Sequence, residues 1–130
     1  MLQSASHNHD PGKSDWHAAE RVIKYLLGTK DKGIAYRHDV LLVFASYCDA
    51  DFAIGINRHS FSGFIFILAG GAVSWTTKKQ SKIALSTQEA ELNACYIAGR
   101  DATWLRKFCN FQLWHLSPVP CIVLFTDSQP

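Results

Sequence analysis

Three acids in this sequence have the types and positions to do chemistry together: Asp49, Glu91 and Asp127. Asp49 ends a run rich in β-branched and aromatic residues. Glu91 falls in the second turn of an expected long helix. Asp127 follows the bare apolar run of residues 121–126. Carboxylates that converge from separate elements repel one another, and a divalent cation between them removes the repulsion. An all-oxygen donor set suits Mg²⁺ or Mn²⁺. Two such ions roughly 3.5–4 Å apart can activate water and stabilise the leaving oxygen of a phosphodiester. Each acid also has a plainer reading. Asp49 and Asp127 fit ordinary strand-end turn chemistry, and Glu91 fits the solvent-facing edge of its helix. Asp51 is read as supporting or loop chemistry outside the set.

The elements that must position these acids can be read from pattern. Residues 41–49 form an expected strand. The segment 53–60, with Gly55 and Asn57, reads as a loop. The apolar run 64–68 and the run 72–77 make an antiparallel pair around the turn Ala69-Gly70-Gly71. Ser86 and Glu89 form a capping-box pattern that starts a helix reaching about residue 111. The last expected strand, 121–126, reads as a buried parallel strand. The order is therefore β-β-β-α-β, an α/β arrangement on a mixed sheet. A helical crossover joins parallel strands. Asp49 and Asp127 then both stand at carboxyl ends of parallel strands, where open α/β sheets place their sites. The helix also begins at that rim. Ala94, Cys95, Ala98, Ala102, Leu105 and Cys109 lie on the stripe that Glu91 starts, and this small apolar stripe should face the sheet. A carboxylate there is costly unless it is paired or holds a metal.

Upstream, Asp15 is expected to cap a helix running to about residue 27 and ended by Gly28. Residues 34–37 fit a short strand. Residues 1–14 are expected to be a disordered tail, and the His7-x-His9 pair within it has no ligand cluster near it in sequence. A rim of basic residues, Arg58, His59, Lys78, Lys79 and Lys82, stands near the top of the expected sheet with Trp75 close by. It could hold a phosphate backbone or simply be solvated.

Composition narrows the class. The chain has 130 residues, enough for one domain and not comfortably for two. A formal charge of +2 neither demands nor excludes a nucleic-acid partner. The four cysteines, Cys48, Cys95, Cys109 and Cys121, contain no C-x-x-C pair, so they read as reduced and mostly buried thiols. No apolar run approaches the roughly 20 residues that span a bilayer, and the first residues lack the apolar core of a signal peptide. The expected setting is intracellular, a cytoplasmic particle or the nucleus, and not secreted. No G-x-S-x-G, phosphate-loop or dinucleotide fingerprint occurs, and His38, His59 and His115 are scattered in polar loops.

Several ordered segments carry a family resemblance. Tyr47-Cys48-Asp49-Ala50-Asp51-Phe52-Ala53 resembles the Y-S-D-A-D-W-A segment of ribonuclease H domains in copia-type retrotransposon Pol polyproteins. Residues 60–66 are similar to their S-T-S-G-Y-V-F, residues 74–81 to S-W-S-S-K-K-Q-S, and residues 84–91 to A-L-S-T-T-E-A-E. Trp104-Leu105-Arg106 matches W-L-R, and residues 21–30 resemble R-I-L-R-Y-L-K-G-T-K. The resemblance implies a ribonuclease H-like domain over residues 39–130, preceded at 15–38 by a connection helix and turn that follow a reverse transcriptase region. It implies hydrolysis of the RNA strand of an RNA–DNA hybrid. It assigns the same three acids as metal-binding and catalytic: Asp49 bridging two ions, and Glu91 and Asp127 each holding one. From the basic rim, and not from the resemblance, Arg58, Lys78, Lys79 and Lys82 are the nucleic-acid-binding candidates. The expected partners are the hybrid and the reverse transcriptase portion of the same polyprotein, with no membrane.

The sequence departs from the family in two places. Ile54-Gly55 stands where Gly-Asp is usual, and Phe52 replaces a tryptophan. The family's fourth carboxylate, later helices and fifth strand lie past the last residue given. The expectation is therefore a truncated domain, with one ion in place of two and impaired cleavage. The alternative is a non-catalytic nucleic-acid-binding or functionless remnant.

Overall fold

The computed structural model describes residues 10–39, 43–52, 58–112 and 119–127. His7, His9, His115, Leu41, Ile54 and Gly55, and with them most of the expected tail and the expected loop, lie outside the described residues. The chain divides into two compact units, Met1–Ile34 and Ala35–Pro130.

The first unit holds one helix, α1 (Lys13–Gly28). Its cap differs from expectation. Gly12 is the capping residue, and Asp15 lies inside the first turn with its carboxylate accepting the Gly12 N–H at 3.0 Å. An acid in the first turn can serve the exposed donors there as well as one in front of it. At the other end Gly28 is still helical, and the Thr29 hydroxyl donates to the Tyr25 carbonyl at 2.7 Å. No residue of α1 is buried.

The second unit is α/β, with a mixed four-stranded sheet and one long helix among its described residues. In chain order it runs β1 (Ala45–Asp51), β2 (Phe61–Leu68), β3 (Gly71–Lys79), α2 (Thr87–Gln112) and β4 (Leu124–Phe125). Across the sheet the order is β3-β2-β1-β4. β1–β2 and β2–β3 are antiparallel, and β4 joins β1 in parallel. Residues 34–37 form no strand. Their ties to the sheet are the Arg37 N–H to the Ala69 carbonyl at 2.8 Å and the Tyr36 hydroxyl to the Ala72 carbonyl at 2.7 Å, too few for a ladder.

The hairpin turn between β2 and β3 explains itself. Leu68 pairs with Gly71, and the two residues between them, Ala69 and Gly70, have φ of 53° and 78°. Positive φ at both central residues is the primed turn whose twist matches a hairpin. Gly70 takes it without a Cβ clash, whereas Ala69 bears some strain. A bulge between Phe66 and Ile67 then shifts the pairing by one residue.

Strand alternation sorts the two faces. Ser46, Cys48, Phe64 and Phe66 are buried, whereas Tyr47 and Asp49, which alternate with them, are exposed. From α2, the residues turned inward are Ala90, Ala94, Ala98, Ala102, Leu105 and Cys109. Four alanines in succession at i, i+4 spacing let the helix axis come close to the strands. The two end strands depart from expectation. β1 begins at Ala45 and continues past Asp49 to Asp51, because Asp49, Ala50 and Asp51 all find partners on β2. β4 is laddered only at Leu124 and Phe125, with Phe125 half exposed. It lies at the sheet's edge and has β1 on one side only, so the buried parallel strand expected over 121–126 is not formed.

Candidate metal centre

The three acids reach one place by three local routes. Asp49 sits inside β1, opposite Gly63 of β2. Its Oδ1 accepts the N–H of Ala50 at 2.8 Å. Glu91 sits near the start of α2, whose position is set by a cap. The Ser86 hydroxyl accepts the Glu89 N–H at 3.1 Å, and the Glu89 carboxylate turns back to the Leu85 N–H at 2.7 Å. This is a capping box displaced by one residue at its return bond. Asp127 lies two residues beyond β4, which is placed by the Ser46 hydroxyl donating to the Val123 carbonyl.

One carboxylate oxygen from each of Asp49, Glu91 and Asp127 lies within 4.8 Å of the others. Asp49 and Asp127 are exposed and Glu91 is half-buried. The Ala50 N–H is shared, since Glu91 Oε1 also accepts it at 3.2 Å. Glu91 Oε2 is buried without a hydrogen-bond partner. None of the ion pairs among the described residues involves these acids.

That environment pushes the Glu91 carboxyl above its ordinary range. Burial is the main cause, opposed by the Ala50 N–H, then reinforced by the charges of Asp49 and Asp127. The Thr126 hydroxyl also favours the ionised form, but Oε2 still lacks a partner by hydrogen-bond geometry. Beneath the acids, the thiols of Cys48 and Cys95 lie 3.4 Å apart. Burial and the Cys95 thiol, with smaller pushes from Glu91 and Asp49, raise Cys48 to about 12. It is a neutral packing group at this rim. The four cysteines are free, with Cys48 and Cys109 buried and Cys121 exposed.

A buried carboxylate oxygen with no donor, facing two further acids, is costly as it stands. Three oxygen donors with no nitrogen or sulfur among them fit a hard divalent cation, Mg²⁺ or Mn²⁺.

The basic candidates are spread along one edge. Lys78 and Lys79 close β3, and their pairing rows run through Ser62 and Phe61 to Ala50 and Asp51. They therefore lie level with the acids but two strands away, about 10 Å across the sheet. Lys79 falls in register with the exposed Asp51 and Lys78 with the buried Ser62, and both lysines are exposed. Lys82 and Arg58 are exposed in the flanking segments, Arg58 with φ of 49°. The sequence reading passed over Gln80, a buried side chain bonded to both β2 and α2. In sequence it is a polar residue directly after a strand, and its place in the match of residues 74–81 gives it no role.

Comparison with known proteins adds family. The chain is 41% identical over 122 residues to the retrovirus-related Pol polyprotein from transposon TNT 1-94 of Nicotiana tabacum. That match covers 92% of this chain and 9% of the polyprotein. A 34% match to the Pol polyprotein from transposon RE2 of Arabidopsis thaliana covers 75% of this chain and 7% of that protein. The secreted RxLR effector protein 161 of Plasmopara viticola is 40% identical over 97 residues, which is 74% of this chain and 68% of the effector. No protein-family model matches the chain, and no solved structure matches it. The chain belongs to the family of the matched segment in these retrovirus-related transposon Pol polyproteins, a retroelement-derived Pol region of copia type.

Proposed function

We propose that residues 39–130 are a ribonuclease H-type domain that uses a divalent cation to hydrolyse the RNA strand of an RNA–DNA hybrid. The observation that carries this reading is the meeting of Asp49, Glu91 and Asp127 within 4.8 Å, with one Glu91 oxygen buried and unpartnered. The mixed sheet, with its helical crossover between parallel strands, is compatible with a ribonuclease H-like fold. Asp49, Glu91 and Asp127 are the residues that would hold the ion. A bound Mg²⁺ or Mn²⁺ supplies Lewis acidity toward the phosphodiester and neutralises charge that develops on it. The chain's own groups do the rest. Asp49 and Asp127, both exposed, keep the rim open to a backbone, and the Ala50 N–H holds Glu91 and Asp49 side by side. Three acids serve one cation well and leave a second short of protein ligands, so cleavage by this chain is expected to be weak. An intracellular setting, and association with the reverse transcriptase portion of the same polyprotein, belong to the same proposal.

A second reading, hybrid binding without cleavage, is favoured by the exposed lysines that end β3 level with the acids. One pair of assays separates the two. Mn²⁺-dependent hydrolysis of a labelled hybrid that Asp49→Asn abolishes supports the enzyme. Salt-sensitive hybrid binding without hydrolysis, unchanged in Asp49→Asn, supports the second reading. Neither binding nor cleavage overturns both.

A further inference from the structure

One buried polar side chain beside the candidate centre has no part in holding an ion. Gln80, the residue after β3, is 3% exposed. Its main chain continues the hairpin by one step. The N–H donates to the Ser60 carbonyl at 2.8 Å, and the carbonyl meets His59 Nδ1 at 2.9 Å. Its side chain does something different. Nε2 donates to the Ser62 hydroxyl at 2.8 Å and to the Ala90 carbonyl at 3.0 Å. Oε1 accepts from Asn93 Nδ2 at 3.3 Å. In a helix the Ala90 carbonyl already serves the residue four places on, so Gln80 takes its second lone pair.

These bonds close a ring around Glu91. Ser62 is the β2 partner of Ala50. The Ala50 N–H reaches Glu91 Oε1 at 3.2 Å. Glu91 follows Ala90 in the chain, and Ala90 returns to Gln80. The fully buried residues that the helix turns inward at this height are Ala90 and Ala94, apolar and small, with the Cys95 thiol beside them against Cys48. Methyl groups resist separation but hardly resist sliding or rotation, because dispersion is non-directional. A side-chain amide bonded to both elements does resist, since hydrogen bonds weaken steeply with misalignment.

We propose that Gln80 is a positioning residue for the metal centre. Its amide fixes the height and rotation of the first turns of α2 against β2, and so holds Glu91 where it meets the Ala50 N–H and the other two acids. The inference rests on the metal reading for its consequence and on the hydrogen-bond ring for its geometry.

The test uses the full chain with Gln80→Met, which keeps length and bulk but loses the amide, and Asn93→Ala, which removes only the outer bond. Mn²⁺ affinity is measured by calorimetry below each variant's melting temperature. Amide exchange is followed at Ala50 and along residues 98–105 without metal. For Gln80→Met the expected result is Mn²⁺ binding weakened roughly tenfold or more, with faster exchange at Ala50 and unchanged protection along 98–105. Asn93→Ala should move both readouts in the same direction by less, and it decides the matter should Gln80→Met not fold. A lower melting temperature with unchanged Mn²⁺ affinity and unchanged Ala50 exchange would make Gln80 merely structural and overturn the proposal. If the parent chain shows no Mn²⁺ binding that depends on Asp49, the metal reading fails, and Ala50 exchange alone then judges Gln80.

Discussion

The two sides of β1 are built very differently. On one side β2 pairs with it along its whole length, from Ala45 with Ile67 to Asp51 with Phe61. On the other, β4 pairs only where Leu124 meets Ser46 and Phe125 meets Tyr47. The antiparallel side continues through a tight turn into β3, whereas the parallel side is reached only by way of a long helix. Asp49 belongs to the first side and sits inside a continuous ladder. Glu91 is held by a capped helix, the Ala50 N–H and the Gln80 ring. Asp127 belongs to the second side and stands beyond the last paired residue. The candidate centre thus has two acids fixed by scaffolding and a third placed by a short edge strand.

Removing one acid from each side of β1 separates the two arrangements. Asp49→Asn should abolish Mn²⁺ binding, while Asp127→Asn should weaken it and leave a measurable remainder. Equal losses by calorimetry would mean that the edge strand holds its acid as firmly as the ladder does.

Proton linkage probes the half-buried acid between them. Burial raises Glu91 above its unfolded range. A raised acid binds more protons in the folded state than in the unfolded one. In the absence of metal its contribution to stability is therefore full below the ordinary carboxylate range and declines as pH rises through the folded value. Added Mn²⁺ should reverse that slope, because the cation takes the place of the proton. Denaturant titrations across pH 4–7, with and without Mn²⁺, would measure both slopes. An unchanged slope in Glu91→Gln would assign the effect to another group.

The edge strand itself can be loosened. Ser46 is fully buried and its hydroxyl donates to the Val123 carbonyl. Ser46→Ala should cost about 1–2 kcal/mol by leaving that carbonyl unpaired. Amide exchange should accelerate at Leu124 and Phe125 and not in β2. The smallest effect is expected at the helix start, where Ser86→Ala should cost about 1 kcal/mol and leave Mn²⁺ affinity intact. A fall in affinity there would show that the cap, as well as Gln80, sets the position of Glu91.

What could be read from sequence follows the same division. The Ala69-Gly70 turn, the Ser86 start and the alanine stripe of α2 are written in nearest neighbours and helical spacing, so they are legible. The beginning of β1 and the shortness of β4 are not, because each is fixed by what lies beside it in space. Residues 121–126 have the composition of an interior strand, yet only two of them find a partner. Residues 34–37 have strand composition and find only scattered bonds. Asp49, Glu91 and Asp127 could be brought to one rim on paper, since strand direction and helix face fix the end at which each must stand. Gln80 could not, because its importance comes from the Ala90 carbonyl, and no residue type announces that contact.

The parallel seam between β1 and β4 has a consequence for how the molecule assembles. β2 turns into β3 at Ala69-Gly70 and β1 reaches β2 through residues 52–60, whereas β4 is separated from β1 by β2, β3 and the helical crossover. Long-range pairings of this kind carry the largest loop-closure entropy and form late. The expectation is that the third acid joins the other two after the folding barrier, so that their mutual repulsion leaves the folding rate largely untouched. A cation that relieves the repulsion acts on the same late step, so it should slow unfolding far more than it speeds folding.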